Sequence, residues 1–509
     1  MKYKTIRDEW TALDNKRSAI LNRCEDYARW TLPYLFPQRG TTEQEELSVA
    51  AGSIGARSVN HLANKLVSTL FVPYRPFFRL TIDENMRAKV KAALQMTDAQ
   101  IDLALARTEN AAKDAISVAA HRTQAVLAAK NIIVTGNSLL YYPQDSAVEV
   151  YNLRDYVIKR NLNGRLLTII TRDTKIFSSL PEGIRSTLAE NKRRKYDDDA
   201  ACSLYTKIAY SEEKKKFIVT QAVDDVELDT YGEYPVDKLP WIVLTWNLLR
   251  GEDYGRGLVE DYAYAFHSHQ VLTAGQTRLY AVLCDVKWLV EPSSGLDPEE
   301  LNNAPSGSYF PGKPDSISMP RYNIEPNIVG INEKIATLER EIAQAFLLTS
   351  AVTRDAERVT AEEIRMQTME LETSHGGIYS RLAAEWQAPL VGIALDRIGF
   401  ELGDSFIPHI ITGMEAMSRA GDLENIHMFI QDLASTAAIP ETFQMYMKPD
   451  EFLATLGALR NVQYENFLKT SEEVQQEIQA RQEQEQAMME SQVQMQANAA
   501  TQQEIAKNL

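Results

Sequence analysis

The sequence predicts an α+β fold that is mainly helical and contains one β-rich segment. Mainly apolar residues recur at helical spacing near the N-terminus and again over residues 258–284 and 331–348. Strand-like segments separated by turn residues fill residues 131–246. Between the two later helices, residues 285–330 contain 7 of the 19 prolines, and so proline-rich a segment cannot be the interior of a helix.

Residues 1–130 are expected to be mostly helical. The first stripe at helical spacing consists of Ile6, Trp10, Leu13, Arg17, Ile20, Leu21 and Cys24. Residues 88–130 are rich in alanine and contain few helix breakers. The segment 73–80 lies between them and includes Pro73 and Pro76, which predicts a non-helical break.

The β-rich segment contains two predicted hairpins. Asn163-Gly164 separates the runs 156–160 and 166–170, and this dipeptide favours a two-residue hairpin turn. A second hairpin pairs 204–210 with 217–223 around a charged turn, and residues 240–246 form a further strand. The charged residues 192–199 are interpreted as an exposed loop in preference to a divalent-ion site at Asp197, Asp198 and Asp199.

Three glycines, Gly251, Gly255 and Gly257, introduce the helix predicted over 258–284. Its stripe consists of Leu258, Tyr262, Phe266, Leu272, Leu279 and Leu283. The helix predicted over 331–348 has a stripe of Ile331, Ile335, Leu338, Ile342 and Phe346. The proline-rich residues between these helices are expected to form a compact insert of loops and short strands.

A sharply defined helix start follows the second of these helices. Thr360 can cap it, and Glu363 completes a capping box. Val359 and Ile364 stand where a hydrophobic staple would close. The polar loop between the two helices, Thr349 to Arg358, therefore has both ends fixed, and its Arg354 and Arg358 make it a candidate contact surface.

The new helix is predicted to run from Thr360 toward residue 400, with kinks at Gly376-Gly377 and Pro389. Short helices are expected after residue 405. The tail from residue 470 contains 11 glutamines and few large apolar residues, which predicts a helix that frays into disorder.

Length and composition limit the classes of protein to which the chain can belong. A chain of 509 residues is expected to form two to four lobes. No apolar run approaches the roughly 18 residues of a membrane helix, and the N-terminus does not have the pattern of a signal peptide. Cys24, Cys202 and Cys284 fit no disulfide or metal spacing, which indicates a reducing compartment.

The charge distribution argues against tight DNA binding. The net charge is −16, and residues 401–509 contain 17 acidic and 6 basic side chains. A basic footprint for nucleic acid is therefore missing at the level of the whole chain. Such a protein could still surround DNA and repel it.

No constellation for catalysis, for a metal or for a cofactor is found, so the chain is not expected to be an enzyme. Residues 307–313 match the phosphate-loop pattern, but Pro314 stands where a magnesium-binding hydroxyl is required. His267 and His269 lie two apart on a predicted helix and therefore point to different faces. The pair Glu362-Glu363 is explained by helix capping.

Five motifs, in order, resemble the portal proteins (head-to-tail connectors) of short-tailed bacteriophages of the autographivirus type. They are Arg23-Cys24-Glu25 with Thr31-Leu32-Pro33, Ser53–Arg57 leading to Leu70-Phe71, Pro76–Leu80, Gly251–Gly257 and Ala356–Arg365. The similarity extends over roughly residues 5–470 and excludes the glutamine-rich tail.

The resemblance implies a ring of twelve subunits around a channel for double-stranded DNA. The implied parts are a wing (1–255), stem helix 1 (256–284), a clip (285–330), stem helix 2 (331–348), a tunnel loop (349–359), a long kinked wing helix (360–404), a crown (405–470) and a partly disordered tail (471–509). The loop's candidate DNA-contact residues are Thr349, Ser350, Thr353, Arg354 and Arg358, and its helix anchor is Val359, Thr360, Glu363 and Ile364.

The resemblance also implies the partners and the location. The ring sits at one capsid vertex of the virion after assembly in the host cytoplasm, and DNA is packaged and ejected through it. The expected partners are the terminase motor, tail or adaptor proteins, and the major capsid and scaffolding proteins, while contact of the crown with internal core proteins stays open. No membrane partner is expected.

Two alternatives remain at this point. Arg354 and Arg358 contact DNA, or both pair with Asp355, Glu357 or Glu362 within the chain. The whole protein could also be an internal helical virion or scaffolding protein without a channel.

Overall fold

The structure, a computed structural model, describes residues 4–41, 50–71, 76–82, 87–91, 98–118, 121–144, 146–190, 197, 199–284, 288–311, 313, 315–318, 325–348, 377–400, 406–410 and 431. The chain divides into two compact units. The first comprises Met1–Met96 and Leu103–Gly413, and the second comprises Thr97–Asp102 and Met414–Leu509. The paired helices and the candidate site described below lie in the first unit.

The described helices are α1 Ile6–Lys16, α2 Ser18–Trp30, α3 Ile54–Leu70, α4 Asp98–Val118, α5 His121–Thr135, α6 Glu182–Glu190, α7 Leu258–Asp261, α8 Ala263–Cys284, α9 Pro298–Asn303, α10 Glu325–Ala345, α11 Ile378–Leu382 and α12 Ala388–Arg397. A π-helical turn, Ala383–Gln387, joins α11 to α12. Short 3₁₀ turns occur at Pro33–Leu35, Phe177–Ser179, Val236–Lys238 and Pro292–Ser294. Among the described residues, no helix is both long enough and apolar enough to span a bilayer.

The described strands are β1 Phe78–Ile82, β2 Asn137–Tyr141, β3 Glu149–Tyr151, β4 Tyr156–Arg160, β5 Leu166–Ile176, β6 Ala201–Ser211, β7 Lys216–Val223, β8 Val226–Pro235, β9 Trp241–Thr245, β10 Leu289–Val290, β11 Ile317–Ser318 and β12 Phe406–Ile410. They form a five-stranded antiparallel sheet in the order β4-β5-β6-β7-β8 and a three-stranded sheet in the order β3-β2-β9. Two small ribbons pair β1 with β12 and β10 with β11. The predicted α+β class with mainly helical content is confirmed.

Both predicted hairpins are present. Val157 pairs with Ile170 across the first turn, where Gly164 adopts φ 79°, a backbone region that glycine enters without steric cost. Leu204 pairs with Val223 and Tyr210 with Phe217 in the second hairpin. The predicted strand at 240–246 is β9.

The N-terminal stripe is buried as predicted, but it belongs to two helices. The helical run breaks at Arg17, which separates α1 from α2. Ile6, Trp10 and Leu13 pack on the five-stranded sheet beside Val157, Ile170, Tyr205 and Ala222. The α2 side of the stripe joins a larger core in which α3 and α5 pack together.

Several element boundaries differ from the predictions, and the helix predicted over 258–284 is divided at Tyr262 into α7 and α8. The second long helix begins at Glu325, inside the predicted insert, because Pro326 stands in its first turn, where a helix tolerates proline. Of the helix predicted from Thr360 toward 400, residues 360–376 lie outside the described residues, and Gly377 has a left-handed φ of 85°, so α11 begins at Ile378. Residues 406–410 were expected to be helical and are instead a strand paired with residues 78–82.

Candidate functional site

The two long helices on either side of the proline-rich insert form an antiparallel pair. The side chain of Gln276 on α8 donates to Asn332 Oδ1 on α10 at 2.6 Å, and His269 Nε2 lies 3.2 Å from Glu339 Oε1. At the base of the pair, the rings of Phe266 and Phe346 meet edge to face, with centroids 5.5 Å apart. The predicted pair of helices is therefore one packed element.

A close approach of backbones fixes the base of α8. Gly136 follows α5 with φ 77°, and a Cβ there would lie 2.5 Å from the carbonyl oxygen of Gly255. A Cβ on Gly257 would lie 2.7 Å from the carbonyl oxygen of Ile133. Only glycine fits at these positions, which gives the Gly251–Gly257 motif a physical reason.

Asn137 holds this junction together by recognising both backbone groups of Gly255. Its side-chain amide donates to the Gly255 carbonyl at 2.8 Å, and its Oδ1 accepts from the Gly255 N–H at 2.7 Å. Asn137 is fully buried. The sequence analysis missed this residue, although a Gly-Asn pair at the end of an alanine-rich helix could have indicated it.

Two of the motifs that resemble portal proteins meet at a cleft of about 350 Å³ between α2 and the glycine motif. Arg256 pairs with Glu252 at 2.9 Å and with Glu260 at 3.5 Å, and Arg23 reaches Glu260 at 3.9 Å. The charges that line the cleft therefore tie α2 to the start of the paired helices.

The chain that leads into residue 349 is anchored in the core. After α10 ends at Ala345, Phe346, Leu347 and Leu348 are all buried, with exposed fractions of 0%, 4% and 9%. Leu347 adopts φ 56°, a left-handed conformation that is costly for a leucine and requires surrounding packing to hold it. The chain therefore enters the interval 349–376 from a fixed point.

The chain that leaves this interval is anchored as well. Tyr379 Oη donates to the Thr69 carbonyl at 3.2 Å, and Gln387 Nε2 donates to the Leu70 carbonyl at 2.5 Å, so both hold the C-terminal end of α3. Trp386 is fully buried, and its ring lies 5.1 Å from that of Phe71. These contacts satisfy carbonyl groups that a helix end leaves open.

A carboxylate joins the same segment to the β2–β9 sheet. Glu385 Oε2 accepts from the Thr245 N–H at 3.1 Å and from the Thr245 hydroxyl at 2.8 Å. Thr245 is fully buried and pairs in register with Asn137. The segment after the interval and the glycine junction at the base of α8 are therefore joined through one strand pair.

Burial also shifts the pKa values of two groups in this core. Burial lowers the pKa of His121 to about 3, so the ring is neutral and its Nδ1 lies 3.0 Å from Tyr142 Oη. Burial and the nearby Glu260 raise the pKa of the Cys24 thiol to about 12. Both groups are packing residues with no free charge near neutral pH.

Every residue predicted for the tunnel loop and its anchor lies outside the described residues. These are Thr349, Ser350, Thr353, Arg354, Arg358, Val359, Thr360, Glu363 and Ile364. The structure therefore describes the residues on either side of the interval 349–376.

The sequence features that were considered as possible chemical sites have other roles or neighbours in the structure. His267 packs its ring edge against Trp30 at 5.5 Å, while His269 is buried beside Glu339. After Lys313 the described chain enters strand β11, whereas a phosphate loop requires a helix; Gly312 and Pro314 lie outside the described residues. Within the described part of the chain, no three His, Cys, Asp or Glu side chains converge as a metal site.

Comparison with known proteins now defines the class. Residues 3–468 match the model of the bacteriophage head to tail connecting protein family. The chain belongs to this family, which confirms the resemblance seen in the five motifs.

The relatives are portal proteins. The chain is 32% identical over 490 residues to the portal protein of Enterobacteria phage SP6, an alignment that covers 94% of this chain and 93% of the relative. It is 32% identical to the portal protein of Escherichia phage T7, with 84% and 81% covered. A chain from the neck of a native gene transfer agent particle, computed with C12 symmetry, aligns over 80% of this chain and 89% of its own length at 13% identity and a TM-score of 0.34.

Proposed function

We propose that this chain assembles into a closed ring of twelve copies at one capsid vertex and forms the channel through which double-stranded DNA is packaged and ejected. The observation that carries the proposal is the interval 349–376, which is entered from the buried Phe346–Leu348 and left through a segment fixed by Tyr379, Glu385 and Gln387. An interval tethered at both ends to a rigid core can project without loosening that core. In a ring of portal family members, we propose that this interval projects into the channel.

The parts of the ring follow from the elements. The antiparallel pair α8 and α10 is the stem, and the insert 285–330 with its β10–β11 ribbon is the clip. The wing comprises residues 1–255 and the segment 360–404, and residues 405–470 belong to the crown, which includes strand β12. The loop 349–359 narrows the channel.

We further propose the partners of the ring and a role for it that involves no catalysis. The clip docks the terminase motor and later the tail or adaptor proteins, and the ring contacts major capsid and scaffolding proteins. The protein is a conduit and not an enzyme. The acidic balance of the chain, −16, suits a channel that must not hold DNA, because close phosphate contacts need many cationic side chains.

Within the channel, Arg354 or Arg358 makes weak, replaceable contacts with DNA, aided by Thr349, Ser350 and Thr353. The competing assignment pairs both arginines with Asp355, Glu357 or Glu362 in the same chain.

Negative-stain imaging of the purified protein tests the proposal. Closed rings with a central hole are expected. Monomers, open filaments or solid particles would contradict it and would favour an internal virion or scaffolding protein. An ATPase measurement on the same preparation is expected to show no hydrolysis.

A further inference from the structure

One side of helix α8 carries exposed tyrosine and valine side chains that no described residue of its own chain covers. Over its 22 residues the only Lys, Arg, Asp or Glu is Arg278. Among the described residues its main partner is α10, and α2 contacts its first turns. Large apolar side chains nevertheless remain exposed on the side of α8 that faces away from α10, so this side is expected to have a partner.

The uncovered side is a regular stripe. It consists of Tyr264, Ser268, Val271, Gly275, Arg278 and Val282, at spacings of 4-3-4-3-4. At 3.6 residues per turn these positions span about 80° of the helix circumference, opposite the side that holds His269 and Gln276 against α10. Tyr264, Val271 and Val282 are 81%, 55% and 54% exposed, and a Cβ on Gly275 would meet nothing within 4 Å. The spacing is that of a seam between packed helices.

Helix α10 has a matching seam on its own outer side. It consists of Gly330, Glu333, Thr337, Arg340 and Gln344, all exposed, at spacings of 3-4-3-4. These residues lie opposite the buried Ile335, Leu338 and Ile342 on the helix circumference. The pair therefore presents one seam on each flank.

The two seams are level with one another along the pair. The contacts of His269 with Glu339 and of Gln276 with Asn332 fix the antiparallel alignment. That alignment places Val271 level with Thr337, and Gly275 level with Glu333. Rotation about a ring axis preserves height along the axis, so each residue of a neighbouring copy is level with its equivalent here.

We infer that the α8 stripe of one copy packs on the α10 seam of the next copy, with Val271 beside the neighbour's Thr337. The inference rests on the proposed ring and names its stem interface. Gly275 leaves room for the neighbouring helix at the level of Glu333. Arg278, the lone cation of the stripe, lies about one turn along α8 from Gly275 and pairs with the neighbour's Glu333.

Disulfide cross-linking tests this register. In a Cys284→Ser background, the pair Val271→Cys and Thr337→Cys is expected to form covalent multimers up to the full ring under mild oxidation. An intrachain bond is excluded because the two positions lie on opposite flanks of helices packed about 8–10 Å apart, beyond the reach of a disulfide. The matched control, Val271→Cys with Gln344→Cys, is displaced by about 10 Å along the helix and should stay monomeric on a denaturing gel.

The outcomes separate the inference from the proposed function. Rings without cross-links in the first variant, or cross-links of equal yield in the control, would overturn the inference and leave the channel proposal standing. A Cys284→Ser parent that forms no rings would overturn both.

A charge exchange supplies a second readout at exposed positions. Arg278→Glu and Glu333→Arg are each expected to lose most ring assembly in native electrophoresis, and the double variant to regain it. Unchanged assembly in both single variants, or no recovery in the double variant, would overturn the pairing.

Discussion

Glu385 accepts two hydrogen bonds from Thr245, one from the backbone N–H at 3.1 Å and one from the hydroxyl at 2.8 Å. Thr245 closes the strand that leads to the glycine motif, whereas Glu385 belongs to the segment that follows the proposed channel loop. One carboxylate therefore links the return path of the loop to the base of the stem.

Removing this carboxylate should destabilise the fold. Glu385→Ala would leave two buried donors on Thr245 without an acceptor, at about 1–3 kcal/mol for each. Urea unfolding should show a lower midpoint, and Glu385→Gln, which keeps one acceptor oxygen, should fall between Ala and wild type. The exposed Glu212→Ala is the control and should stay within about 0.5 kcal/mol of wild type. An Ala variant as stable as that control would show that Glu385 does not stabilise the fold through Thr245.

The glycine junction should not tolerate a side chain. Gly136→Ala would place a Cβ 2.5 Å from the carbonyl oxygen of Gly255 and would hold alanine at φ 77°. We expect little folded protein in the soluble fraction, or a loss of several kcal/mol. Gly183→Ala, at a helical position where a Cβ meets nothing within 4 Å, should be neutral or stabilising by up to about 1 kcal/mol. Equal stability of both variants would contradict the close approach seen here.

The buried Arg17 should matter more than an exposed arginine in a similar pair. Arg17 is 1% exposed, pairs with Asp14 at 2.8 Å and donates to the carbonyl groups of Leu153 and Tyr156. Arg17→Met is expected to cost about 3–5 kcal/mol, because it strands a carboxylate and buried carbonyl groups. Arg29→Met breaks a half-exposed pair with Asp26 and should cost at most about 1 kcal/mol. Thermal denaturation compares the two, and a reversed order would be decisive against a structural role for Arg17.

His121 should make the fold sensitive to acid. Its pKa is about 3 in the folded chain and about 6.5 in a free side chain, so the unfolded state binds the extra proton first. Its contribution is intact above pH 6.5 and is lost as the pH falls toward 3. Between pH 7 and pH 5 this amounts to about 2 kcal/mol.

The variant His121→Phe isolates this effect. It keeps an aromatic ring against Phe71 and Trp386 while removing the titrating group. The wild type should lose about 2 kcal/mol more than the variant over the same pH range, measured by urea unfolding. Parallel pH profiles for the two proteins would show that His121 is not the source.

The loop arginines should affect DNA and not assembly. Arg354→Ala together with Arg358→Ala is expected to leave rings intact while lowering the amount of DNA packaged or retained in heads. If packaging and retention match wild type, the arginines pair within the chain and the contact proposal fails. Thr360→Ala serves as a comparison, because it is expected to weaken the predicted helix cap by about 1 kcal/mol and leaves the charge of the loop unchanged.

The elements that local sequence patterns determine were predicted correctly. The hairpins at Asn163-Gly164 and at 204–223, the paired long helices and the strand at Trp241 all follow from turn chemistry and periodicity. The strand at 406–410 was missed because its partner, residues 78–82, lies more than 300 residues away and no local signal marks that pairing.

The anchors of the candidate site were missed for the same reason. The roles of Asn137 and Glu385 depend on backbone groups of Gly255 and Thr245 that are distant in the sequence. Gly377 was predicted as a kink, whereas its left-handed backbone precedes the start of α11, since nothing in the pattern distinguishes a bent helix from a left-handed turn. The channel loop itself rests on the family resemblance and stays a prediction.

A single-particle reconstruction of the purified assembly tests the central claim most directly. We expect a closed ring of twelve copies around an open axis, with residues 349–359 at the narrowest point and α8 of each copy beside α10 of the next. An assembly with no axial hole, or a channel whose narrowest point is lined by other residues, would contradict it.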